Sequence, residues 1–491
     1  MAKTSSKRVG IVGAGIAGIA SAIRLACQGH EITVFEGNDY PGGKLSEIQL
    51  AQYRFDAGPS LFTLPHLVEE LFELAGEKVE EHFEYLRLPV ACHYFWEDGA
   101  SLKAYSDPKK FAAEVEHSLG EPRDHVEAAL KRSARLYDYL GEMFMFRSMH
   151  KLSTWTNKDA RRSYRNLHKM DFLRTMNKAN EATFTNPKMV QLFNRYATYN
   201  GSDPYQTPAT LNIIPHLEFN IGAYFPKKGM HDITLALVDL AKRQGVNFRL
   251  GCPVEKILVS GKKVTGLQVK GQELQFDRVV SNMDVVNTYR KLLPDQKPPE
   301  KLLRQPKSSS ALIFYWGIKK SFPQLNLHNI LFSDDYRTEF DYIFNKKQVY
   351  DDPTVYINIT SKFKPDDAPV GAENWFTMIN VPNNSGQDWD AVIAEAREKV
   401  LDKVSRILGT NIRAVLEEED YLDPRRIELR TSSSQGALYG NSSNNRYAAF
   451  LRHANFSKKI KGLYFCGGSV HPGGGIPLSL SSAKIVGELF S

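Results

Sequence analysis

The feature that most limits the fold of this chain is a glycine-rich segment close to its start. It reads V-G-A-G-I-A-G over residues 12–18 and follows the apolar stretch Arg8–Val12. The stretch Ile19–Gln28 has helical spacing, and Glu31–Phe35 has the pattern of a second strand. A glycine motif between a strand and a helix is typical of the βαβ unit that binds a dinucleotide, with a purely structural turn as the weaker alternative.

Each glycine of the motif has a physical role in this interpretation. Gly13 permits a tight turn, Gly15 lets the backbone approach a pyrophosphate, and Gly18 lets the helix pack closely on the strand. The free N–H groups and the positive dipole end of the helix then face the phosphates. We assign to the cofactor the residues Gly13, Ala14, Gly15, Ile16, Ala17 and Gly18.

Glu36 stands at the end of the second predicted strand, about 23 residues after Gly13. A carboxylate there can accept the ribose hydroxyls of an adenosine and repels a 2′-phosphate, which disfavours NADP but does not separate NAD from FAD. Gly42, Gly43 and Lys44 follow closely. This glycine pair with a basic residue resembles the loop that packs on the FAD pyrophosphate in flavoproteins of the amine oxidase and glutathione reductase class. The alternative is a plain β-turn.

A second glycine-rich motif lies near the other end of the chain. Residues 463–477 read L-Y-F-C-G-G-S-V-H-P-G-G-G-I-P, which predicts a strand, a glycine loop and a helix that begins at Ile476 or Pro477. A helix start aimed at a flavin ring would stabilise the negative charge of the reduced ring. Many relatives in the wider superfamily have an acidic residue after the first glycine, and here backbone N–H groups must replace it. We assign to FAD the residues Gly467, Gly468, Ser469, Gly475, Ile476 and Pro477.

Three further segments make the resemblance more specific. They are R-F-D-A-G-P-S-L-F at 54–62, G-A-Y-F-P-K-K-G-M at 222–230 and H-P-G-G-G-I-P at 471–477. Together they resemble the phytoene desaturase family of carotenoid desaturases, and the whole chain looks more like the bacterial 1-hydroxycarotenoid 3,4-desaturase branch than like phytoene desaturase itself. We add to the predicted cofactor contacts Gly58, Pro59, Ser60 and Val254.

The fold expected from these motifs is α/β, with a discontinuous, doubly wound, Rossmann-like FAD-binding domain of the amine oxidase and glutathione reductase type. A mixed-sheet substrate domain with a helical excursion is inserted into it, because the cofactor motifs lie at both ends of the chain. The predicted FAD domain comprises residues 1–90, 222–300 and 440–491. The predicted substrate domain comprises 91–221 and 301–439, with 121–180 helical.

The candidates for catalysis are few. The sequence has no recognisable nucleophilic triad, no CxxC pair among its four cysteines and no metal-ligand spacing. His471 lies beside the second glycine motif, although a structural, hydrogen-bonded histidine is the stronger interpretation. Arg195 and Tyr199 belong to a segment that resembles the family's substrate domain, and Arg147 lies in a run rich in Met and Phe. Core packing, a turn or a solvated surface are the alternatives for these three.

The segment 145–178 is strongly basic. It carries nine Lys and Arg residues against Asp159 and Asp171, with aromatic and aliphatic residues between them. This pattern favours a peripheral contact with the inner face of the cell membrane, and the alternative is a solvated helical face. No apolar run is long enough to cross a membrane and no signal peptide is evident, so we expect a cytoplasmic location. Nucleic-acid binding is a third interpretation of the segment 145–178, but nothing else in the chain supports it.

The resemblance implies an FAD-dependent oxidoreductase that acts on CH–CH bonds. It would introduce a double bond next to the polyene of a carotenoid, by 3,4-desaturation of a carotenoid or hydroxycarotenoid, and pass the electrons to a quinone or to oxygen. Four alternatives stay open. They are a phytoene desaturase, a flavin-dependent carotenoid isomerase, an amine oxidase-like enzyme and a flavin-binding protein without catalysis.

Overall fold

The computed structural model describes residues 6–445 and 451–490. Residues 1–5, 446–450 and 491, which belong to the predicted FAD domain, lie outside the described residues. The strands are β1 Arg8–Val12, β2 Glu31–Phe35, β3 Glu47–Leu50, β4 Tyr53–Asp56, β5 Tyr85–Arg87, β6 Val90–Phe95, β7 Ser101–Tyr105, β8 Tyr224–Pro226, β9 Asn247–Arg249, β10 Val254–Ser260, β11 Lys263–Val269, β12 Gln272–Gln275, β13 Arg278–Ser281, β14 Ser310–Ile318, β15 His328–Leu331, β16 Val355–Asn358, β17 Glu373–Val381, β18 Leu416–Leu422 and β19 Leu463–Phe465.

The helices connect these strands and cover the sheets. They are α1 Ile16–Cys27, α2 His66–Ala75, α3 Pro108–Leu119, α4 Arg123–Phe146, α5 Leu152–Thr156, α6 Lys158–Arg165, α7 Met176–Glu181, α8 Pro187–Asn194, α9 Asp232–Arg243, α10 Val285–Asn287, α11 Glu300–Leu303, α12 Tyr336–Asp341, α13 Trp389–Leu408, α14 Pro424–Thr431 and α15 Ile476–Phe490. Short 3₁₀ and π turns lie between several of them, including Arg195–Asn200 and His216–Ile221.

A parallel five-stranded sheet brings distant parts of the chain together. Its strand order is β19–β13–β1–β2–β9, and every neighbouring pair is parallel. Parallel neighbours need crossover connections, and here the connection from β1 to β2 is α1. The carboxyl ends of β1, β13 and β19 therefore lie side by side, which places the loops after Val12, Ser281 and Phe465 at one edge of the sheet.

The start of the first helix differs from the sequence prediction. Helix α1 begins at Ile16 rather than Ile19, so the turn is confined to Gly13–Gly15 and Gly18 lies inside the helix. Gly13 has φ +94°, a conformation that favours glycine. A Cβ on Gly18 would lie 2.2 Å from the carbonyl oxygen of Gly13, which explains why the helix can start this close to the strand only with glycine there.

A mixed seven-stranded sheet forms the second large layer, in the order β18–β14–β17–β16–β15–β6–β7, with only β15 and β6 parallel to each other. All nine residues of its strand β14 are buried, as the continuous apolar run predicts. Phe314 and Trp316 pack against α13 in one core cluster, while Ala311 and Ile313 face the opposite side, since side chains alternate along a strand. The sheet thus separates the α13 core from the interior space described below.

The fold class is as the sequence predicts: parallel and mixed sheets in one α/β chain, with a helical excursion between β7 and β8. Strands of the parallel sheet come from both ends and the middle of the chain. Three short strands, β10 to β12, form a separate antiparallel sheet. The exact domain boundaries stay a prediction.

The close approach at Gly18 generates a stability test. Gly18→Ala should lower the free energy of unfolding by about 2 kcal/mol or more, because its new methyl group meets backbone and cannot be accommodated by a side-chain rotation. Gly487→Ala in α15 is the matched control, since its Cβ would lie 3.5 Å from the nearest side-chain atoms of Arg24. That change should be neutral or stabilise by up to about 1 kcal/mol. Thermal unfolding of both variants checks this, and equal midpoints would contradict it.

Candidate flavin and substrate site

A cavity of about 900 Å³ extends between the parallel sheet and the seven-stranded sheet. Its lining is mostly apolar, and its size is in the range of cofactor and ligand pockets. The loops after β1, β2, β13 and β19 form one part of the wall. Residues from β14 to β17 and from the helical excursion form the rest, so one continuous space contacts both predicted functional regions.

The N-terminus of α1 faces this cavity. Gly15 is the N-cap and offers no side chain, and the first intrahelical hydrogen bond runs from the Ile19 N–H to the Gly15 carbonyl. The N–H groups of Ile16 and Ala17 therefore have no acceptor in the helix, and both residues line the cavity. With no acidic side chain in the first turn, this helix end is suited to an anionic group such as a pyrophosphate.

Glu36 is fixed beside that helix end at the end of β2. One carboxylate oxygen accepts the Ala14 N–H at 2.7 Å, and the other accepts the backbone and side-chain N–H groups of Asn38 at 3.0 Å each. The side chain is 8% exposed and lines the cavity. A carboxylate has about four lone-pair sites, so this one retains acceptor capacity for a ribose hydroxyl.

The Gly42–Gly43–Lys44 loop closes over the first motif. The Gly42 N–H donates to the Ala14 carbonyl at 2.7 Å, and Gly42 has φ +108°. The Lys44 ammonium donates to the carbonyl of Leu438 at 2.9 Å. Burial lowers the pKa of Lys44 to about 8, with Asp284 acting in the opposite direction. The loop thus brings a basic group to the cavity wall without a direct carboxylate partner.

The C-terminal motif supplies another helix N-terminus. Helix α15 begins at Ile476, as the sequence predicts, and Gly475 precedes it with φ +95° and open space where a side chain would be. Gly475, Ile476 and Pro477 all line the cavity. This is the geometry in which a flat ring can lie against backbone while the positive helix end faces it.

A buried arginine holds the loop that leads to α15. Arg452 is 2% exposed, and within residues 6–445 and 451–490 its guanidinium donates to neutral oxygens only, among them the carbonyls of Tyr439 at 3.0 Å and Gly468 at 3.3 Å. Burial lowers the pKa of Arg452 to about 10, which still leaves it a cation at neutral pH. Arg452 lines the cavity and therefore adds positive potential beside the second helix end.

Most of the predicted cofactor residues lie on the cavity wall. Two do not: Ala14 is buried and donates its N–H to Glu36, and Gly18 lies inside α1. Ser469 lines the cavity, but its hydroxyl accepts the Val285 N–H at 2.9 Å and so holds a loop as well. The structure brings the others together on this wall, namely Gly13, Gly15, Ile16, Ala17, Glu36, Gly42, Gly43, Lys44, Gly58, Pro59, Ser60, Val254, Gly467, Gly468, Gly475, Ile476 and Pro477.

Two of the four catalytic candidates lie away from the cavity wall. His471 is fully buried, and its Nε2 donates to the carbonyl oxygen of Arg147 at 2.9 Å. Burial lowers the pKa of His471 to about 3, so it is a neutral ring that joins the helical excursion to the C-terminal loop. The Arg147 guanidinium is half-exposed and lies 3.4 Å from Asp159. This geometry favours structural roles for both residues.

The other two candidates lie together on the wall. Arg195 donates to the hydroxyls of Tyr199 at 2.7 Å and Tyr94 at 2.6 Å, and Glu218 accepts from Arg195 at 3.4 Å and from Tyr199 at 2.7 Å. Arg195 is 5% exposed, and its charge is balanced by Glu218. These residues form a buried, compensated ionic cluster rather than an isolated acid or base.

A second polar group lies next to this cluster and includes the predicted cofactor contact Ser60, while sequence reasoning missed its other two members, His328 and Tyr356. The Ser60 and Tyr356 hydroxyls are 2.7 Å apart, and the Tyr356 hydroxyl is 2.7 Å from Nδ1 of His328. Burial, together with the charge of Arg195, lowers the pKa of His328 to about 3. His328 and Tyr356 come from two neighbouring strands that are far from Ser60 in sequence, so no local spacing could have identified them.

Comparison with known proteins decides the family. Residues 16–487 match the family model described as flavin containing amine oxidoreductase. The chain belongs to this family. The cofactor is therefore FAD, and the protein is a flavin-dependent oxidoreductase, as the sequence predicts. The assignment of the two glycine-rich motifs to the flavin stays a prediction.

Individual relatives sharpen the comparison. The chain is 51% identical over 483 residues to 1-hydroxycarotenoid 3,4-desaturase of Flavobacterium sp. (strain P99-3), covering 98% of this chain and 99% of that protein. It is 30% identical over 508 residues to phytoene desaturase of Fusarium fujikuroi, covering 98% and 89%. The predicted resemblance to carotenoid desaturases is confirmed.

A solved structure in the amine oxidase branch shows the same fold. Cyclohexylamine oxidase from Brevibacterium oxydans IH-35A aligns over 99% of this chain and 98% of its own, with a TM-score of 0.62 and 16% identity. This structural similarity confirms the predicted fold class.

The geometry at Glu36 yields a test of the cofactor site. Glu36→Ala should weaken FAD binding by about 10- to 100-fold, because it removes a charged acceptor and leaves the N–H groups of Ala14 and Asn38 without their partner. Glu31→Ala is the matched control, since Glu31 is exposed at the other end of β2. Titration of apo-protein with FAD measures both. An unchanged dissociation constant in Glu36→Ala would remove this residue from the site.

Proposed function

We propose that this protein is an FAD-dependent carotenoid desaturase that introduces a C=C bond next to the polyene, by 3,4-desaturation of a carotenoid or hydroxycarotenoid. The observation that carries the proposal is the 51% identity over nearly the full length to a 1-hydroxycarotenoid 3,4-desaturase. Full coverage matters, because both the cofactor cradle and the cavity wall lie within the aligned residues.

The shape and lining of the cavity support a long apolar substrate. Beyond the cofactor cradle, the wall consists of the inner face of the seven-stranded sheet and the end of α4, contributed among others by Cys92, Met143, Phe144, Met149, Ile313, Ile330, Phe376 and Met378. Burial of a hydrocarbon against such a wall lowers the free energy by about 25 cal/mol for each Å² of apolar surface removed from water. An amine substrate would instead need an aromatic cage for its cation.

Bound FAD supplies a two-electron acceptor for a hydride from an allylic carbon of the substrate. The chain's own residues orient the reacting bond and exclude water through the apolar walls, and they place positive potential beside the cofactor through Arg452 and the start of α15. The substrate cation left after hydride loss is delocalised along the polyene, and loss of a proton from the neighbouring carbon completes the double bond.

The titratable groups near the cavity agree with a reaction that has no strong dedicated base. Burial lowers the pKa values of His328 and His471 to about 3, so both rings are neutral and only weakly basic at neutral pH. Glu218 is engaged by three donors. Orientation and delocalisation then account for most of the rate enhancement. A quinone or oxygen reoxidises the flavin in this proposal.

We further propose that the protein binds peripherally to the inner face of the cell membrane through the segment 145–178. Leu152 and Leu173 are 80% and 84% exposed there, and Tyr164 and Leu167 are about half-exposed. The same surface carries the exposed basic residues Lys151, Lys158, Arg161, Arg162, Arg165, Lys169, Arg174 and Lys178. Exposed apolar side chains among basic ones suit an anionic lipid surface.

The cavity reaches this same surface. Tyr164 and Leu167 line the cavity as well as being exposed, and Phe172 and Met170 continue its wall inward. A lipid-dissolved substrate could therefore pass from the membrane to the cavity without crossing water. Among the described residues, no helix is both long and apolar enough to span a bilayer.

Anaerobic mixing of the oxidised holoenzyme with a carotenoid in liposomes tests the reaction. The flavin absorbance should bleach as the longer-wavelength absorption of the product appears. Gly474→Val should abolish both signals, since its Cβ would already lie 2.7 Å from the Tyr439 ring and 3.0 Å from the Tyr439 backbone. Product formation without flavin reduction would sink the desaturase proposal. A geometric isomer that forms only with reduced flavin would favour the isomerase.

Charge reversal tests the membrane proposal. Replacing Arg161, Arg162 and Arg165 by Glu should weaken binding to anionic liposomes, by about 1 kcal/mol for each charge that faces the lipid. The matched control reverses Lys262, Lys263 and Lys270, which are equally exposed on the β10–β11 hairpin and its neighbouring turn. Co-sedimentation with phosphatidylserine vesicles measures both variants. An equal loss of vesicle binding in the two variants, or no loss in either, would mean that the membrane contact lies elsewhere.

A further inference from the structure

Besides the predicted cofactor region, the wall of the cavity includes a cluster of polar side chains, which we call the polar belt. It consists of Ser60, Arg195, Tyr199, His328 and Tyr356, all of which line the cavity. The two halves of the belt are neighbours, because the charge of Arg195 acts on the pKa values of both His328 and Tyr356.

The hydrogen-bond directions within the belt can be assigned. The Asn358 amide N–H donates to the Leu327 carbonyl at 3.0 Å, which fixes the orientation of that amide. The same NH₂ group lies 3.2 Å from Nδ1 of His328, so Nδ1 is an acceptor and the ring proton is on Nε2. The Tyr356 hydroxyl therefore donates to Nδ1, and the Ser60 hydroxyl donates to Tyr356.

This assignment leaves both hydrogen-bond donors and hydrogen-bond acceptors of the polar belt available. Nε2 of His328 and Nε of Arg195 are buried N–H donors with no hydrogen-bond partner within residues 6–445 and 451–490. His328 itself is 4% exposed. The Ser60 oxygen retains free lone pairs as an acceptor. Buried donors without partners are costly and rare, which indicates that a ligand completes them.

We propose that the polar belt binds an alcohol hydroxyl on the end of the carotenoid that enters the cavity, and so sets which C–C bond lies at the flavin. A hydroxyl is both a donor and an acceptor, which matches Ser60 on one side and the unpaired N–H groups on the other. Carbonyl and ether oxygens accept only, and a hydrocarbon end does neither. The inference rests on the proposed function.

The position of the belt explains how it would select the bond. Ser60 lies within the stretch 57–61 that lines the cavity next to the predicted cofactor loops, and His328 lies on β15 of the seven-stranded sheet. A hydroxyl held between Ser60 and the unpaired N–H groups anchors the chain end close to the cofactor, so only the bonds next to the end group reach it. Desaturation would then occur at the end of the polyene rather than in its middle.

The test uses the holoenzyme and two acyclic carotenoids that differ only in a hydroxyl on the terminal carbon bearing the methyl groups, each in phosphatidylcholine liposomes. Anaerobic flavin bleaching gives kcat/KM, and polyene binding to the pre-reduced holoenzyme gives a dissociation constant. The wild-type protein should favour the hydroxylated compound at least about tenfold in both measurements, as one or two hydrogen bonds would supply.

Tyr356→Phe removes the hydroxyl that orients both Ser60 and the His328 ring, so it should bring both ratios towards one while the flavin spectrum and reduction potential stay unchanged. Tyr164→Phe is the matched control, because it removes a phenol from the same cavity wall at its exposed end and should leave the ratios as they are. A wild-type ratio near one, or a ratio unaffected by Tyr356→Phe, overturns the proposal. A shifted flavin potential in Tyr356→Phe would show that the belt contacts the cofactor instead.

The two measurements separate this proposal from the proposed function. If neither carotenoid bleaches the flavin, the desaturase function fails, and the binding ratio on reduced holoenzyme still decides the hydroxyl site. If both bleach it equally, the function stands and the hydroxyl site fails.

Discussion

The predicted flavin site depends on the contact between the two ends of the chain, and the side chain of Asn282 lies at that contact. Asn282 follows β13, between β1 and β19, and its backbone N–H donates to the Val12 carbonyl at 2.8 Å. Its amide donates to the Cys466 carbonyl at 3.2 Å. A Cβ on Gly15 would lie 2.6 Å from the side-chain oxygen of Asn282. The N-terminal and C-terminal cradles therefore meet at one residue from the middle of the chain, and their relative position is fixed by hydrogen bonds rather than by a continuous segment.

This arrangement explains what the sequence could and could not predict. Gly13, Gly15, Glu36 and the start of α15 were predictable because a few contiguous residues determine the turn, the helix end and the acceptor at the strand end. The sequence predicts that α1 begins at Ile19, about one turn after its start at Ile16 in the structure, because the glycine content suggests a longer loop than the chain forms. Strands such as β14 were recognisable from continuous apolar runs, but their order in the seven-stranded sheet was not, since it depends on pairings between distant segments.

The interior wall of the cavity was beyond sequence reasoning for the same reason. His471 attracted attention because it adjoins the glycine motif, yet its ring is buried against the Arg147 carbonyl. His328 and Tyr356 gave no signal, since each is unremarkable in its own segment. Ser60 was predicted as a cofactor contact, but its hydrogen bond to Tyr356 depends on the convergence of β15, β16 and the loop after β4. Adjacency in sequence and adjacency in the cavity are different properties, and motif searches detect only the first.

The distribution of charge along the cavity links the cofactor end to the substrate end. The predicted cofactor end has positive potential, which comes from the starts of α1 and α15 and from the Arg452 guanidinium. This potential complements the negative charge of FAD. At the substrate end, Arg195 is neutralised by Glu218, and the surrounding tyrosine rings contact its guanidinium face. A bare cation there would oppose the positive charge that develops on a polyene during hydride loss, and in a low-dielectric wall that repulsion would be strong. Because Glu218 compensates the charge of Arg195, this electrostatic cost is removed, and the N–H groups of Arg195 stay available to orient a substrate. A site that works by positioning a reactive hydrocarbon requires both properties.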